Sequence, residues 1–253
     1  MVRPKKHLGQ HFLKNDAIAA QIADSLTGDG YDTVVEIGPG TGVLTQFLQK
    51  RNEDLFVVEI DTESVEYLHA NFDMRFDHIM EADFLQMSLN DKFGKQVAVV
   101  GNFPYNISSQ IIFKVLDQKE LVPEVVGMFQ KEVAERIVAG PGSKTYGIIS
   151  VLTAAFYEGE YLFTVEPEEF NPPPKVRSGV IRLRRKPEGE LGCDHAKLKM
   201  VVKTAFNQRR KTLRNALKSI NLPEEVTQGE LFNKRAEQLS LQDFINITNA
   251  LQS

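Results

Sequence analysis

The sequence predicts an α/β protein: a mixed, mostly parallel sheet covered by helices on both faces, followed by a small all-α C-terminal domain. Three observations predict it. Short apolar runs alternate with helical patterns over the first half of the chain, a glycine-rich turn follows the first of those runs, and residues 194–253 read as helical with no strand candidate. Near-continuous apolar strands separated by amphipathic helices are the signature of a parallel sheet buried on both sides.

The strands are expected at "TVVEIG" (33–38), "LFVVEI" (55–60), "DHIM" (77–80), "VAVV" (97–100) and "EVVGMF" (124–129). Each is rich in Val, Ile or Phe and bounded by Gly, Asp, Asn or Pro. Helical patterns lie between them at 15–26, with Asn15 or Asp16 as N-cap, and at 42–50, 62–72 and 108–117. After "QKEVAERIVA" (130–139) come a Gly/Pro/Ser loop (140–147) and an apolar segment (148–157). "YLFTVEP" (161–167) and "SGVIRLRR" (178–185) read as added strands flanking "EEFNPPPKV", whose three prolines, Pro172, Pro173 and Pro174, enforce an extended connection. "KPEGELGC" (186–193) reads as a hinge, giving domains 1–187 and 188–253.

The 253 residues suit one large domain with a small companion, and the net charge of −4 hides a strong asymmetry. Residues 175–218 hold 14 Lys and Arg against 3 acids, a local +11, and residues 1–14 add +4. The remainder therefore carries −19. A basic block of that length in an otherwise acidic chain points to a polyanion-binding surface. The single cysteine, Cys193, excludes an internal disulfide, and neither it nor His7, His69, His78 and His195 shows metal-ligand spacing, so no metal is expected. No apolar stretch approaches the ~20 residues that span a bilayer. The start, "MVRPKKHLGQHFLK", lacks the apolar core of a secretory signal. A cytoplasmic protein without membrane contact is expected.

Three motifs carry chemistry. In "VVEIGPGTG" (34–42) a glycine turn leaves a strand and opens a helix, and Glu59 ends the next strand 21 residues after Gly38, placed for a ribose diol. The glycines read G-x-G-x-G, and on this motif alone the ligand is either S-adenosylmethionine or NAD. "EADF" (81–84) places Asp83 at a strand end, where it can accept from an adenine amine beside an aromatic face. "GNFPYN" (101–106) follows the fourth strand. Asn102 and the carbonyl beside Pro104 can each accept from one N–H of an exocyclic amine, while Tyr105 offers a stacking face. An amine conjugated into a purine is a poor nucleophile, and two acceptors on its hydrogens favour a pyramidal nitrogen with its lone pair toward an electrophile.

These motifs, in this order, resemble those of class I S-adenosylmethionine-dependent methyltransferases with a Rossmann-like fold. "LGQHFLKN" (8–15), "VVEID", "GNFPYNIS", "QKEV", "EFNPPPKVRS" and "AFNQRRKTLRNAL" (205–217) narrow the resemblance. Over about residues 7–250 the chain is similar to the small-subunit ribosomal RNA adenine N6,N6-dimethyltransferases, the kasugamycin-resistance family. The resemblance implies S-adenosyl-L-methionine as cofactor, with His11, Leu13, Gly38, Gly40, Glu59, Ile60, Asp83, Phe84 and Asn102 as contacts. It implies that Asn102, Pro104 and Tyr105 hold the target adenine and that Phe170 stacks on its other face. It further implies a monomer acting during ribosome biogenesis on two adjacent adenosines, in a hairpin loop near the 3′ end of small-subunit ribosomal RNA or a pre-small-subunit particle. Lys175, Arg209, Arg210, Lys211 and Arg214 are the candidate RNA contacts, the last four on one expected helix whose apolar stripe is Leu213, Leu217 and Ile220. His11 stands where the family usually has Asn, and Phe103 where it usually has Leu. Other readings are a macrolide-resistance methyltransferase of large-subunit RNA, a non-catalytic assembly factor and a dehydrogenase. The "NQRRKTLRN" segment and "PPPKV" turn weigh against the first, and the intact Glu59, Asp83 and Asn102 set against the second. Nothing resembling a hydride-accepting substrate site supports the last.

Overall fold

The computed structural model describes residues 2–187 and 191–251. The chain forms two compact units, Met1–Ala134 with Gly159–Arg185, and Glu135–Glu158 with Lys186–Ser253. The composition of the chain predicts a single division at 187/188. The structure instead draws the helical unit from two stretches, because the apolar segment around 148–156 packs with the C-terminal helices. Part of the expected hinge, residues 188–190, lies outside the described residues.

Among the described residues the first unit is built on the strands β1 (Phe12–Leu13), β2 (Thr33–Ile37), β3 (Asp54–Glu59), β4 (Ile79–Glu81), β5 (Ala98–Asn102), β6 (Glu124–Gln130), β7 (Tyr157–Val165), β8 (Phe170–Asn171) and β9 (Ser178–Arg185). Seven form one sheet in the order β4-β3-β2-β5-β6-β9-β7, while β1 and β8 pair separately. β4, β3, β2, β5 and β6 run parallel, and β9 joins β6 antiparallel, with Gly127 opposite Ile181. Every residue of β2 is buried, as befits a central strand covered on both faces. The helices are α1 (Asp16–Asp24), α2 (Thr45–Leu48), α3 (Thr62–Asn71), α4 (Leu89–Phe93), α5 (Ser108–Asp117) and α6 (Lys131–Ile137). Asn15 caps α1, its side-chain oxygen accepting from the amides of Ala17 and Ile18 at 2.9 and 3.2 Å. Because β2, β3, β4 and β5 are parallel, their carboxyl ends share one edge of the sheet, and the three motifs leave from there.

The helical unit contains α7 (Ile148–Phe156), α8 (His195–Asn207), α9 (Leu213–Ala216), α10 (Glu224–Thr227) and α11 (Leu241–Asn249). Its core joins Leu198, Val202 and Phe206 of α8 to Phe244 of α11, with the Phe206 and Phe244 rings stacked at 5.9 Å. The expected helix through 205–217 is interrupted. α8 ends at Asn207, a turn follows, and α9 starts at Leu213. Continuing the helix would set Arg209 and Arg210, three and four residues beyond the buried Phe206, on the apolar stripe, and burying unpaired cations is costly.

Candidate active site

The glycine turn after β2 and the acid ending β3 meet directly. Gly40 has φ +54°, and a Cβ there would come 2.7 Å from the Phe12 ring, so only glycine lets the loop lie this close beneath residues 11–12. The Gly40 amide donates to Glu59 Oε2 at 3.1 Å, while Glu59 Oε1 accepts from the amides of Ile60 and Asp61, both at 2.9 Å. Burial raises the Glu59 pKa, and these three amides oppose the rise. One carboxylate oxygen is thus fully engaged and the other retains capacity for a hydroxyl donor. Ile60, 53% exposed, lines the same cleft with an apolar surface. Asp83 reaches it from the turn after β4, its Oδ1 accepting from the Leu85 amide at 2.9 Å.

The segment after β5 supplies the opposite wall. Asn102, Phe103, Pro104 and Tyr105 all line the cleft. Asn102 Nδ2 donates to the carbonyl of His11 at 2.8 Å, which commits the donor end of that amide and leaves Oδ1 as its acceptor end. The Pro104 carbonyl accepts from the Ile107 amide at 3.1 Å, so the turn is closed by its own backbone. The Tyr105 hydroxyl lies 2.5 Å from Ser178 Oγ at the start of β9, and burial raises the Tyr105 pKa. The cleft therefore presents a buried carboxylate, a second carboxylate, an apolar flank and an oriented amide oxygen. Those acceptors and the apolar flank fit the ribose and purine of a nucleoside, and a Cβ on Gly40, which lines the same cleft, would collide with the Phe12 ring.

Residues 5–13 strap one side of the cleft. Lys5 pairs with Asp61 and, at 3.4 Å, with Glu63. Burial alone would push the Asp61 carboxyl up, but the Lys5 and Ser64 hydrogen bonds outweigh it and hold the group below its ordinary value. His11 Nδ1 is 2.8 Å from the Pro172 carbonyl, and its ring stacks on Tyr105 at 5.3 Å. A second cavity shares His11 and Tyr105 with the cleft and is also lined by Lys6, Gln130, the three prolines 172–174, Lys175 and Val176.

Of the expected cofactor and base contacts, the structure brings His11, Gly38, Gly40, Glu59, Ile60, Asp83, Asn102, Pro104 and Tyr105 to one cleft. Leu13 lies outside it, on a small neighbouring cavity shared with Asn102 and Glu36. Phe84 is buried, and Leu85, one residue on, takes the lining position instead. Phe170, 1% exposed, is packed in the core because β8 pairs with β1 and sets it opposite Leu13. Sequence reasoning did not single out Gln10, Leu85, Asn106 and Ser178; Gln10, Asn106 and Ser178 lie within quoted motifs and Leu85 directly follows one, but nothing in those motifs marked them as part of the site.

In the helical unit, Arg209, Arg210, Lys211 and Arg214 are exposed, the first three on the turn between α8 and α9. Arg209 is already committed: Nε donates to Glu237 at 2.8 Å and Nη2 to the Lys144 carbonyl at 2.7 Å. Thr212 forms a bridge with Arg235, and the Leu213 amide donates to the Lys234 carbonyl at 2.8 Å. That pairing adds the exposed Lys234 and Arg235 to the basic surface, a juxtaposition invisible at a separation of more than twenty residues in sequence. Among the described residues no helix is long and apolar enough to cross a membrane, and no group of three or more His, Cys, Asp or Glu could hold a metal ion.

A family model described as ribosomal RNA adenine dimethylase matches residues 1–253. The chain is 57% identical over 252 residues to a ribosomal RNA small subunit methyltransferase A of Cytophaga hutchinsonii, covering 99% of this chain and 98% of that one. The corresponding protein of Flavobacterium johnsoniae is 54% identical over 253 residues, covering 100% and 97%. A crystal structure of a dimethyladenosine transferase from Plasmodium falciparum superposes with a TM-score of 0.78 at 27% identity, covering 94% of this chain and 96% of that one. The 23S rRNA methyltransferase ErmE shares the fold, with a TM-score of 0.72 at 23% identity over 96% and 100% of the two chains.

Proposed function

Because the chain belongs to the ribosomal RNA adenine dimethylase family, we propose that its cleft transfers methyl groups from S-adenosyl-L-methionine to the exocyclic N6 of two adjacent adenosines in a hairpin loop near the 3′ end of small-subunit ribosomal RNA. One observation carries the reading at the site: the Asn102 amide is tethered by its donor end, so its acceptor end remains for the N–H of a substrate amine. When bound, S-adenosyl-L-methionine supplies a methyl carbon activated by its sulfonium.

The chain's own residues do the rest. Glu59 Oε2 takes a ribose hydroxyl, Ile60 packs on the cofactor's adenine and Asp83 accepts from that adenine's amine, with Gly38 and Gly40 giving close approach. Asn102 Oδ1 and the Phe103 carbonyl, whose direction the following Pro104 constrains, accept the two hydrogens of the target amine. Tyr105 supports the ring. No strong base is required before attack, because an alkylated amine nitrogen is far more acidic than its neutral parent and loses its proton to water. Catalysis is then positioning plus electrostatics directed at the transition state. The target base must leave its stack to reach Asn102, at a cost of a few kcal/mol that is least in a loop. Phe170 serves this reading from within the core, backing Leu13 and β1. Lys175 beside the second cavity, and Arg210, Lys211 and Arg214 in the helical unit, contact phosphates, and the C-terminal part of the chain acts as the RNA-binding part. The protein works as a cytoplasmic monomer on RNA or on a pre-small-subunit particle.

The direct experiment incubates unmethylated small subunits with tritiated S-adenosyl-L-methionine and analyses the nucleosides. Label in N6,N6-dimethyladenosine is expected, and label confined to any other nucleoside would refute the reading. Asn102→Ala should lower the methyl-transfer rate about 100-fold or more while leaving RNA affinity nearly intact, as expected for an acceptor that acts in the transition state. Equal loss of both would remove Asn102 from that role.

A further inference from the structure

We propose that His11 is a positioning residue that sets the orientation of the Asn102 amide, a role resting on the dimethylase reading only for its activity assay. A carboxamide has a donor end and an acceptor end of nearly equal size, exchanged by a half-turn about its last torsion. Only one orientation serves a substrate amine. The orientation is chosen by the backbone carbonyl of His11, which accepts from Asn102 Nδ2 at 2.8 Å.

That carbonyl is itself held through the His11 side chain. Nδ1 lies 2.8 Å from the Pro172 carbonyl, and a carbonyl only accepts, so Nδ1 carries the proton. The imidazole also stacks on Tyr105, whose hydroxyl is bound to Ser178. Immediately after residue 11 the chain enters β1, where Phe12 pairs with Asn171 and Leu13 with Phe170. His11 therefore closes a corner between the strap, the proline turn and the segment after β5. Removing the imidazole N–H frees the strap just where it presents a carbonyl to Asn102.

The test uses His11→Ala, which removes donor and ring, His11→Phe, which keeps a ring without the donor, and His11→Asn, the smallest side chain retaining an N–H donor of comparable reach. In the cofactor-free protein, hydrogen exchange of the Asn102 side-chain amide is followed by 15N NMR. His11→Ala and His11→Phe should each speed it about tenfold, as expected for loss of a hydrogen bond of ordinary strength, and His11→Asn by less than about threefold. In single turnover at saturating RNA and cofactor, His11→Ala should lower the transfer rate about tenfold. In an Asn102→Ala background the same substitution should change the rate by less than about twofold, because its effect passes through Asn102. Unchanged Asn102 exchange in both donor-lacking variants, an undiminished rate loss in the Asn102→Ala background, or a His11→Asn protein as deficient as His11→Phe would each overturn the proposal. If His11→Ala does not fold, His11→Phe carries the same expectations. Absence of adenosine methylation by the unaltered protein would instead refute the dimethylase reading and leave the exchange result standing.

Discussion

Among single residues, Glu36 on β2 shows how strongly burial acts near this site. It is 1% exposed, accepts from Thr45 Oγ1 at 2.6 Å, and is pushed up to about 8 by burial, with the nearby Glu59 charge adding to the rise and the Thr45 bond opposing it. Between the ordinary carboxyl value near 4.5 and about 8, the folded protein holds a proton that the unfolded chain has released. Stability from this group is therefore greatest below that window, falls as pH rises through it at up to about 1.4 kcal/mol per pH unit, and levels off above it. Glu36→Gln, which keeps an acceptor for Thr45, should flatten that fall. Urea denaturation at about pH 5 and pH 8 checks it: the variant's advantage should grow toward the higher pH, and an equal difference at both would show that Glu36 does not titrate there. Glu59→Ala should weaken cofactor binding about 10- to 100-fold by calorimetry, the worth of a hydrogen bond to a buried carboxylate. The place of Glu59 in the cleft was readable from its 21-residue distance to Gly38, whereas the burial of Glu36 was not, since nothing in "VVEIG" distinguishes a fully buried carboxyl from one at a strand edge.

At the level of elements, β5 and β6 show how the chain accommodates Phe103. Gly101 and Gly127 are register partners on these strands. A Cβ on Gly127 would meet the Phe103 ring at 2.3 Å and the Phe129 ring at 2.8 Å, and the two rings sit edge to face at 5.1 Å. Paired glycines thus open the trough in which the larger residue lies. Gly127→Ala should cost about 1–3 kcal/mol by overpacking, and adding Phe103→Leu should recover part of that loss. Denaturant midpoints of the single and double variants measure the coupling, and strictly additive losses would show that the ring is not what Gly127 accommodates. The parallel character of the sheet and the strand ends that carry the motifs were readable from alternation of apolar runs, whereas the strand order was not. The pairing of β1 with β8 was not, since two-residue strands have no periodicity, and it is this pairing that buries Phe170. The interrupted helix was misread because the charges of "NQRRKT" look outward-facing in any register until Phe206 is known to be buried.

For the molecule as a whole, charge asymmetry is the feature on which the proposed RNA contact rests. Replacing Arg210, Lys211 and Arg214 together by Ala should reduce the slope of log affinity against log salt by about 2, at roughly 0.7 per phosphate contact on single-stranded RNA. Arg209→Ala is expected to behave differently: it breaks the bonds to Glu237 and Lys144 and so should lower the melting temperature of the protein as well. An unchanged salt slope in the triple variant would remove that turn from the RNA interface. The basic block was visible in composition, but composition could not separate the committed Arg209 from its exposed neighbours. The shared edge of the parallel strands has a last consequence. Residues from positions as distant as 11, 40, 59, 83 and 102 meet only when the sheet is complete, so an unfolded chain offers the cofactor nothing to bind. By mass action, cofactor at about one hundred times its dissociation constant should then deepen the folded state by about 2.7 kcal/mol, and thermal melts across a concentration series would trace that dependence.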